Sequence, residues 1–178
     1  NNEKKQSKQF FSAREELCWL VKKNTYLKIF QDVYLEKFDE VEKLLNHPLD
    51  KEIISAIDTF GNSALSYLIL NEKEELVKKI LLHKSFTPHL LKIGNCDGKN
   101  PFYLACEVGN KNIIETLIYS GLLDHECVNQ LSKSGETPLT MLCKKRDEST
   151  IESVLQLPNL DIKLSNQEGE SPESLDKF

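Results

Sequence analysis

Residues 98–121 read GKNPFYLACEVGNKNIIETLIYSG, and the order of features within them decides the fold. Gly98 and Pro101 frame a turn, a short apolar run follows, Gly109-Asn110 breaks it, and Ile113, Ile114, Leu117 and Ile118 then recur at helical spacing. A turn, a helix entered at proline, a break and a second, amphipathic helix make one helical hairpin. The same order returns at Gly61 (GNSALSYLILNEKEELVKKILL), at Gly135 (GETPLTMLCKKRDESTIESVLQL) and, cut short, at Gly169 (GESPESL). These four glycines lie 37, 37 and 34 residues apart. The apolar pairs Leu44-Leu45, Leu81-Leu82, Leu117-Ile118 and Val154-Leu155 keep a similar step. Two independent markers with one period describe units of an array.

Within a unit, glycine permits the tight turn and proline opens the helix, where its missing N–H has no partner to lose. Thr137 is the expected N-cap with Pro138 at the first helical position, and Pro101 and Pro172 play the same part elsewhere.

These residues resemble the ankyrin repeat, whose pattern runs D-x-x-G-x-T-P-L-H-x-A, then G and a second apolar helix. The match is closest over Gly98–Gly121 and Gly135–Leu139, with Asp58, Asn95, Ser132 and Asn166 at the polar position three before each glycine. The resemblance implies an all-α solenoid of stacked helical hairpins. Its expected parts are a leader and capping helix (1–29), a degenerate repeat (30–57), repeats at 58–94, 95–131 and 132–165, and a partial repeat (166–178). The chain departs from the pattern in several places. The small alanine is kept as Ala105 but becomes Leu68 and Leu142, and Ser66, Tyr103 and Thr140 replace the histidine. A looser stack is expected from the larger side chains. The linkers PLDKEIISAID, TPHLLKIGN and LDHECVNQLS are longer than the family's and carry apolar residues three or four apart, so each is expected to form an extra helical turn. Glu173 and Asp176 stand where the family has apolar residues, as in a polar cap.

Ahead of the repeats, Ser12-Ala13-Arg14-Glu15 has capping-box form and precedes Leu17, Trp19, Leu20 and Val21. Tyr26, Leu27, Phe30, Val33 and Tyr34 continue at helical spacing into a second helix at Phe38–Leu45. This region is expected to cover the open end of the stack.

Composition limits the chemistry. A net charge of -5 without a basic cluster argues against nucleic-acid and anionic-membrane surfaces, and the chain has no 18-residue apolar stretch. Five cysteines, an odd number without C-x-x-C spacing, suit a reducing, cytosolic compartment. His47, His83, His89 and His125 have no metal-finger spacing; His47 and His83 follow Leu-Leu pairs and are read as helix-end donors. No cofactor or metal is expected. Asp124-His125-Glu126-Cys127 adjoin on one turn, where side chains diverge, so no catalytic dyad is assigned, and Cys106 and Cys143 are read as packing residues. The run Glu72, Glu74, Glu75, Lys78, Lys79 reads as a solvated face with pairs four apart.

The resemblance implies protein recognition, without catalysis in these residues, on a concave face of turn tips and first helices. Carried over by position, the tips are Thr59, Phe60 and Asn62; Cys96, Asp97 and Lys99; Lys133, Ser134 and Glu136; Gln167, Glu168 and Glu170. The first-helix positions are Leu70 and Asn71, Glu107 and Val108, and Lys144 and Lys145. Phe60 is either an anchor or packed on Phe86 or Leu90, and the lysines form a positive stripe suited to an acidic partner segment. A monomer is expected. The alternative is an accessory part of a larger enzyme, or of a secreted effector acting in a host cytosol, motivated by a start without Met and an abrupt end.

Overall fold

The computed structural model describes residues 28–49 and 51–175. The helix expected at Ser12, with Trp19, lies outside the described residues, as does Asp176. The helices are α1 (Lys28–Tyr34), α2 (Phe38–Leu45), α3 (Lys51–Ser55), α4 (Ala64–Leu70), α5 (Glu74–Leu82), α6 (Pro101–Val108), α7 (Lys111–Tyr119), α8 (His125–Val128), α9 (Pro138–Lys145), α10 (Glu148–Leu155) and α11 (Pro172–Leu175). A 3₁₀ turn, Pro88–Leu91, lies between α5 and α6. Among the described residues, extended backbone pairs only at one isolated bridge, Ile57 with Ser63.

The first helices α1, α4, α6, α9 and α11 stack in one row, and the second helices α2, α5, α7 and α10 stack in another. Each linker does form an extra turn: α3 packs on α1, while the 3₁₀ turn and α8 pack on α6. The result is an all-α repeat solenoid.

The turns that open the repeats are built by their polar first residue. One carboxylate oxygen of Asp58 accepts from the N–H groups of Phe60 and Asn62 at 2.9 and 2.8 Å. Asn95 Oδ1 does the same for Asp97 and Lys99, and Asn166 Oδ1 for Glu168 and Glu170. Ser132, one atom shorter, accepts from one turn N–H, that of Glu136, and shares a hydrogen bond with the Ser134 hydroxyl. A short acceptor holding two successive donors fixes a turn with no help from strands. Gly98 shows what the glycine does: its φ is +76°, and a Cβ there would lie 3.0 Å from the Leu131 carbonyl oxygen. Both conformation and space therefore exclude a side chain.

The first helices α4, α6 and α9 are then each capped. Ser63 accepts from the Ser66 N–H and Ser66 Oγ accepts in return from the Ser63 N–H, a reciprocal box. Thr137 accepts from the Thr140 N–H with Pro138 next in line, as the sequence indicates. Asn100 accepts from the Tyr103 N–H at 2.8 Å and also donates to the Cys127 carbonyl at 2.8 Å. The substituted histidine position is thus absorbed by caps: Ser66 and Thr140 bond their own N-cap hydroxyls.

A left-handed residue ends the first helix of each repeat: Glu36, Glu72, Gly109 and Arg146, with φ of 57°, 53°, 84° and 58°. Between the rows lies one continuous apolar core containing Phe30, Ile54, Ile80, Phe102, Ile113 and Val154. Leu68 and Leu142, the enlarged positions, are both fully buried in it.

Candidate functional site

The turn tips form a ladder along the stack. The Cys96 N–H donates to the Phe60 carbonyl at 2.7 Å, and one repeat later the Lys133 N–H donates to the Asp97 carbonyl at 2.8 Å. At the last turn the contact changes to a side chain, Gln167 Nε2 donating to the Lys133 carbonyl at 3.1 Å. Asn62 Oδ1 accepts from Asn95 Nδ2 at 3.1 Å, so this predicted tip residue is engaged in stacking. Thr59, Phe60, Asp97, Lys133 and Ser134 are exposed on the tips.

Beside the tips, the ends of the first helices hold a chain of ion pairs. Lys99 Nζ lies 2.6 Å from Glu107 Oε1 and 5.6 Å from the centre of the Tyr103 ring. Lys144 Nζ sits between Glu136 Oε1 at 2.7 Å and Glu170 Oε2 at 2.8 Å, bridging two repeats. Its two carboxylates raise the Lys144 pKa, and Lys144 in turn lowers that of Glu170. Lys145 Nζ reaches the Glu107 backbone carbonyl. Tyr103, buried under this chain, has its hydroxyl 3.5 Å from Glu136 Oε2, and burial pushes its pKa up to about 12.

The positive stripe expected from Lys99, Lys133, Lys144 and Lys145 is therefore corrected. Lys99 and Lys144 are each matched by a carboxylate eight residues away in their own repeat, Lys144 also by Glu170 of the next repeat, and Lys145 by the Glu107 carbonyl of the preceding one. Lys133 is the one of the four with neither an ion pair nor a side-chain hydrogen bond among the described residues.

Apolar exposure marks the other end of this side. Phe60 on the first described tip is 39% exposed and Leu70 at the end of α4 is 41% exposed, so Phe60 is not buried on the linker. Asn71 is the C-cap of α4 and donates to the Tyr67 carbonyl at 2.8 Å, while Val108 is half-buried at the end of α6.

The run from Glu72 to Lys79 also differs from expectation. Its members bond to neighbouring repeats: Glu74 accepts from Asn110 and Asn112, Glu72 accepts from Asn110, and Lys79 pairs with Glu42. His83 does serve as a helix-end donor, but across repeats. Its Nδ1 accepts from the Ser85 N–H, so the proton lies on Nε2, which donates to the His47 carbonyl at 3.1 Å.

The cysteines are arranged for packing. Cys106 is fully buried and its thiol pKa is pushed far up by burial; burial likewise raises Cys127 to about 11. Thiols held protonated in this way make poor nucleophiles. Cys143 is half-buried against the core, and Cys96 is exposed. Among the described residues no group of three His, Cys, Asp or Glu side chains converges on a metal-sized site, and no helix is long and apolar enough to cross a membrane.

Two signals were missed by sequence reasoning. Asn129, 8% exposed, donates to the His125 and Asn159 carbonyls and accepts from the Asp161 N–H, tying α8 to the loop after α10. On the second-helix side, Leu82 and Tyr119 are 77% and 76% exposed. They flank an open groove of about 490 Å³ between α5 and α7. Helical period alone carries the second signal, since residues adjoining a buried leucine lie 100° away around the helix.

A family model for ankyrin repeats, in three copies, matches residues 29–122, more than half of the chain. No curated protein matches. Among solved structures, the crystal structure of EF0377, an ankyrin repeat protein, is similar in fold. It has a TM-score of 0.70 and 17% identity, covering 82% of this chain and 69% of that one. With its turns, caps and two helical rows in the family's order, the chain belongs to the ankyrin-repeat family.

Proposed function

We propose that the chain recognises a protein partner through the concave side formed by turn tips and first helices, with an apolar anchor docking at Phe60 and Leu70. Ankyrin repeats are in general protein-interaction modules, and their fold is typically non-catalytic. The observation that carries the location is the pairing of two large exposed apolar side chains, on the tip and first helix of one repeat, beside lysines already matched in charge. An interface core of this kind draws its affinity from desolvating the apolar anchors, with the charged rim setting orientation. Thr59, Asp97, Lys133 and Ser134 are the remaining tip contacts, and Glu107, Glu136, Lys144 and Lys145 form the rim. An acidic partner is no longer favoured, because only Lys133 keeps its side chain clear of an internal carboxylate or carbonyl.

The test is affinity capture followed by mass spectrometry, comparing the native chain with a Phe60→Ala, Leu70→Ser, Lys133→Glu variant shown by circular dichroism to keep its helices. These positions are exposed, so folding should persist. Loss of a captured protein in the variant supports the reading. Capture of the same set by both forms removes it.

A further inference from the structure

Leu82 and Tyr119 are the most exposed large apolar side chains among the described residues, and both lie on the second-helix side, away from the turn tips. They occupy equivalent positions, each twenty-one residues after its repeat's turn glycine. The same position one repeat onward is Gln156, so the apolar pair is confined to one interval of the stack. The groove between them is open, holds about 490 Å³, and is rimmed by Glu74, Glu75 and Glu115 against Lys78. Glu74 accepts from two asparagine amides, and Glu115 has Lys111 3.8 Å away as a partial offset. An apolar floor inside an acidic rim has a definite complement.

We infer that this groove is a second docking surface, and that its occupant is an amphipathic α-helix of a partner protein whose apolar stripe is flanked by lysine or arginine. Charge selects the basic flanks. A second copy of this chain would set one acidic rim against another, which is repulsive. Secondary structure selects a helix. The groove is walled by α5 and α7, whose backbone groups are spent within the helices, so an extended peptide would find no ladder to join. A helix brings its own backbone bonds satisfied and needs only side-chain contact. Leu82 and Tyr119 then enter the spaces between its side chains, one on each side.

The test is panning of a phage library that presents a randomised peptide helix on the immobilised 178-residue chain, with counter-selection on a Leu82→Ser, Tyr119→Ser variant. Both substituted side chains face solvent, and circular dichroism confirms folding. Enriched peptides are then measured by fluorescence anisotropy. The expected peptides carry an apolar stripe with flanking lysine or arginine. Their affinity should fall by about tenfold or more in the serine variant and also in a Glu75→Lys, Glu115→Lys variant. Enrichment of acidic or uncharged peptides, no enrichment over the counter-selection, or binding indifferent to the serine variant overturns the inference. So does a dimer by light scattering that dissolves in the serine variant, since a second copy would then fill the groove. Peptides lost in the turn-tip variant of the preceding subsection but kept by the serine variant would report the other face, and also overturn it.

Discussion

The Tyr67 hydroxyl, on α4, donates to Asp58 Oδ2 at 2.7 Å, while the other oxygen of the same carboxylate holds the turn that opens the repeat. Turn and helix of one repeat are thereby fastened by a single side chain. Burial and the adjoining carboxylate raise the Tyr67 pKa well above its ordinary value. Edge contacts with Phe30 and Tyr34 hold the ring from the preceding repeat. Tyr67→Phe keeps those ring contacts and removes the hydroxyl with its hydrogen bond to a charged acceptor, so it should lower stability by about 1.5 kcal/mol. Urea denaturation measures this, and an unchanged midpoint would show that water replaces the hydroxyl without loss.

Asn129→Ala should be more damaging than its modest size suggests. It strips the Asn159 carbonyl and the Asp161 N–H of a partner that is itself buried, at a partly exposed site. The expected loss is about 1 kcal/mol, because water reaches the exposed Asn159 and offsets part of the lost bonding. Hydrogen exchange should rise first in residues 157–163. A uniform rise along the chain would count against a local tie.

Arg146→Gly should stabilise. Arg146 is exposed with φ at 58°, a region that disfavours residues with a Cβ, whereas Gly109 fills the equivalent position one repeat earlier. Relief of that strain, less the greater entropy of glycine in the unfolded chain, leaves a gain on the order of 0.5 kcal/mol. A thermal melt that shifts downward would show that the arginine side chain contributes more than its backbone loses.

Lys92→Met should change the response to acid. Lys92 Nζ lies 2.5 Å from Asp124 and 2.8 Å from Glu126, and this hydrogen bond is the main cause that lowers Asp124 to about 2, aided by the Cys127 N–H. A carboxylate with a depressed folded pKa supplies stability above its unfolded value near 4, and loses it as pH falls toward about 2. The difference in melting temperature between native and Lys92→Met chains should therefore be full at about pH 5 and vanish near pH 2. A constant difference across that range would assign it to packing of the lysine stem.

The sequence reveals what is written locally. Gly98 with Pro101, Thr137 with Pro138, and Gly109 with Asn110 each encode a turn, cap or break within a few residues, and each appears in the structure where its chemistry places it. The contacts between repeats are silent in sequence because their partners stand about one period apart. Glu74 reads as a partner for Lys78 by helical spacing, yet it accepts from Asn110 and Asn112; Lys145 reads as a free cation, yet it reaches the Glu107 carbonyl of the preceding repeat. The candidate surface was affected in the same way: Phe60 was legible as a tip aromatic, but the cancellation of the lysines was not. Leu82 was obscured by its neighbour, since a Leu-Leu pair suggests core while a helix buries only Leu81.

The change of bonding along the tips has a mechanical meaning. Backbone bonds join the first turn to the second and the second to the third, but the fourth is held to the third by the amide of Gln167. A force drawn along the stack would load these links in series, and the softest coil of such a spring is its last. Under tension the chain should therefore fray from α11 inward, releasing Glu170 from Lys144 before the turns that bear Phe60 and Asp97 begin to part.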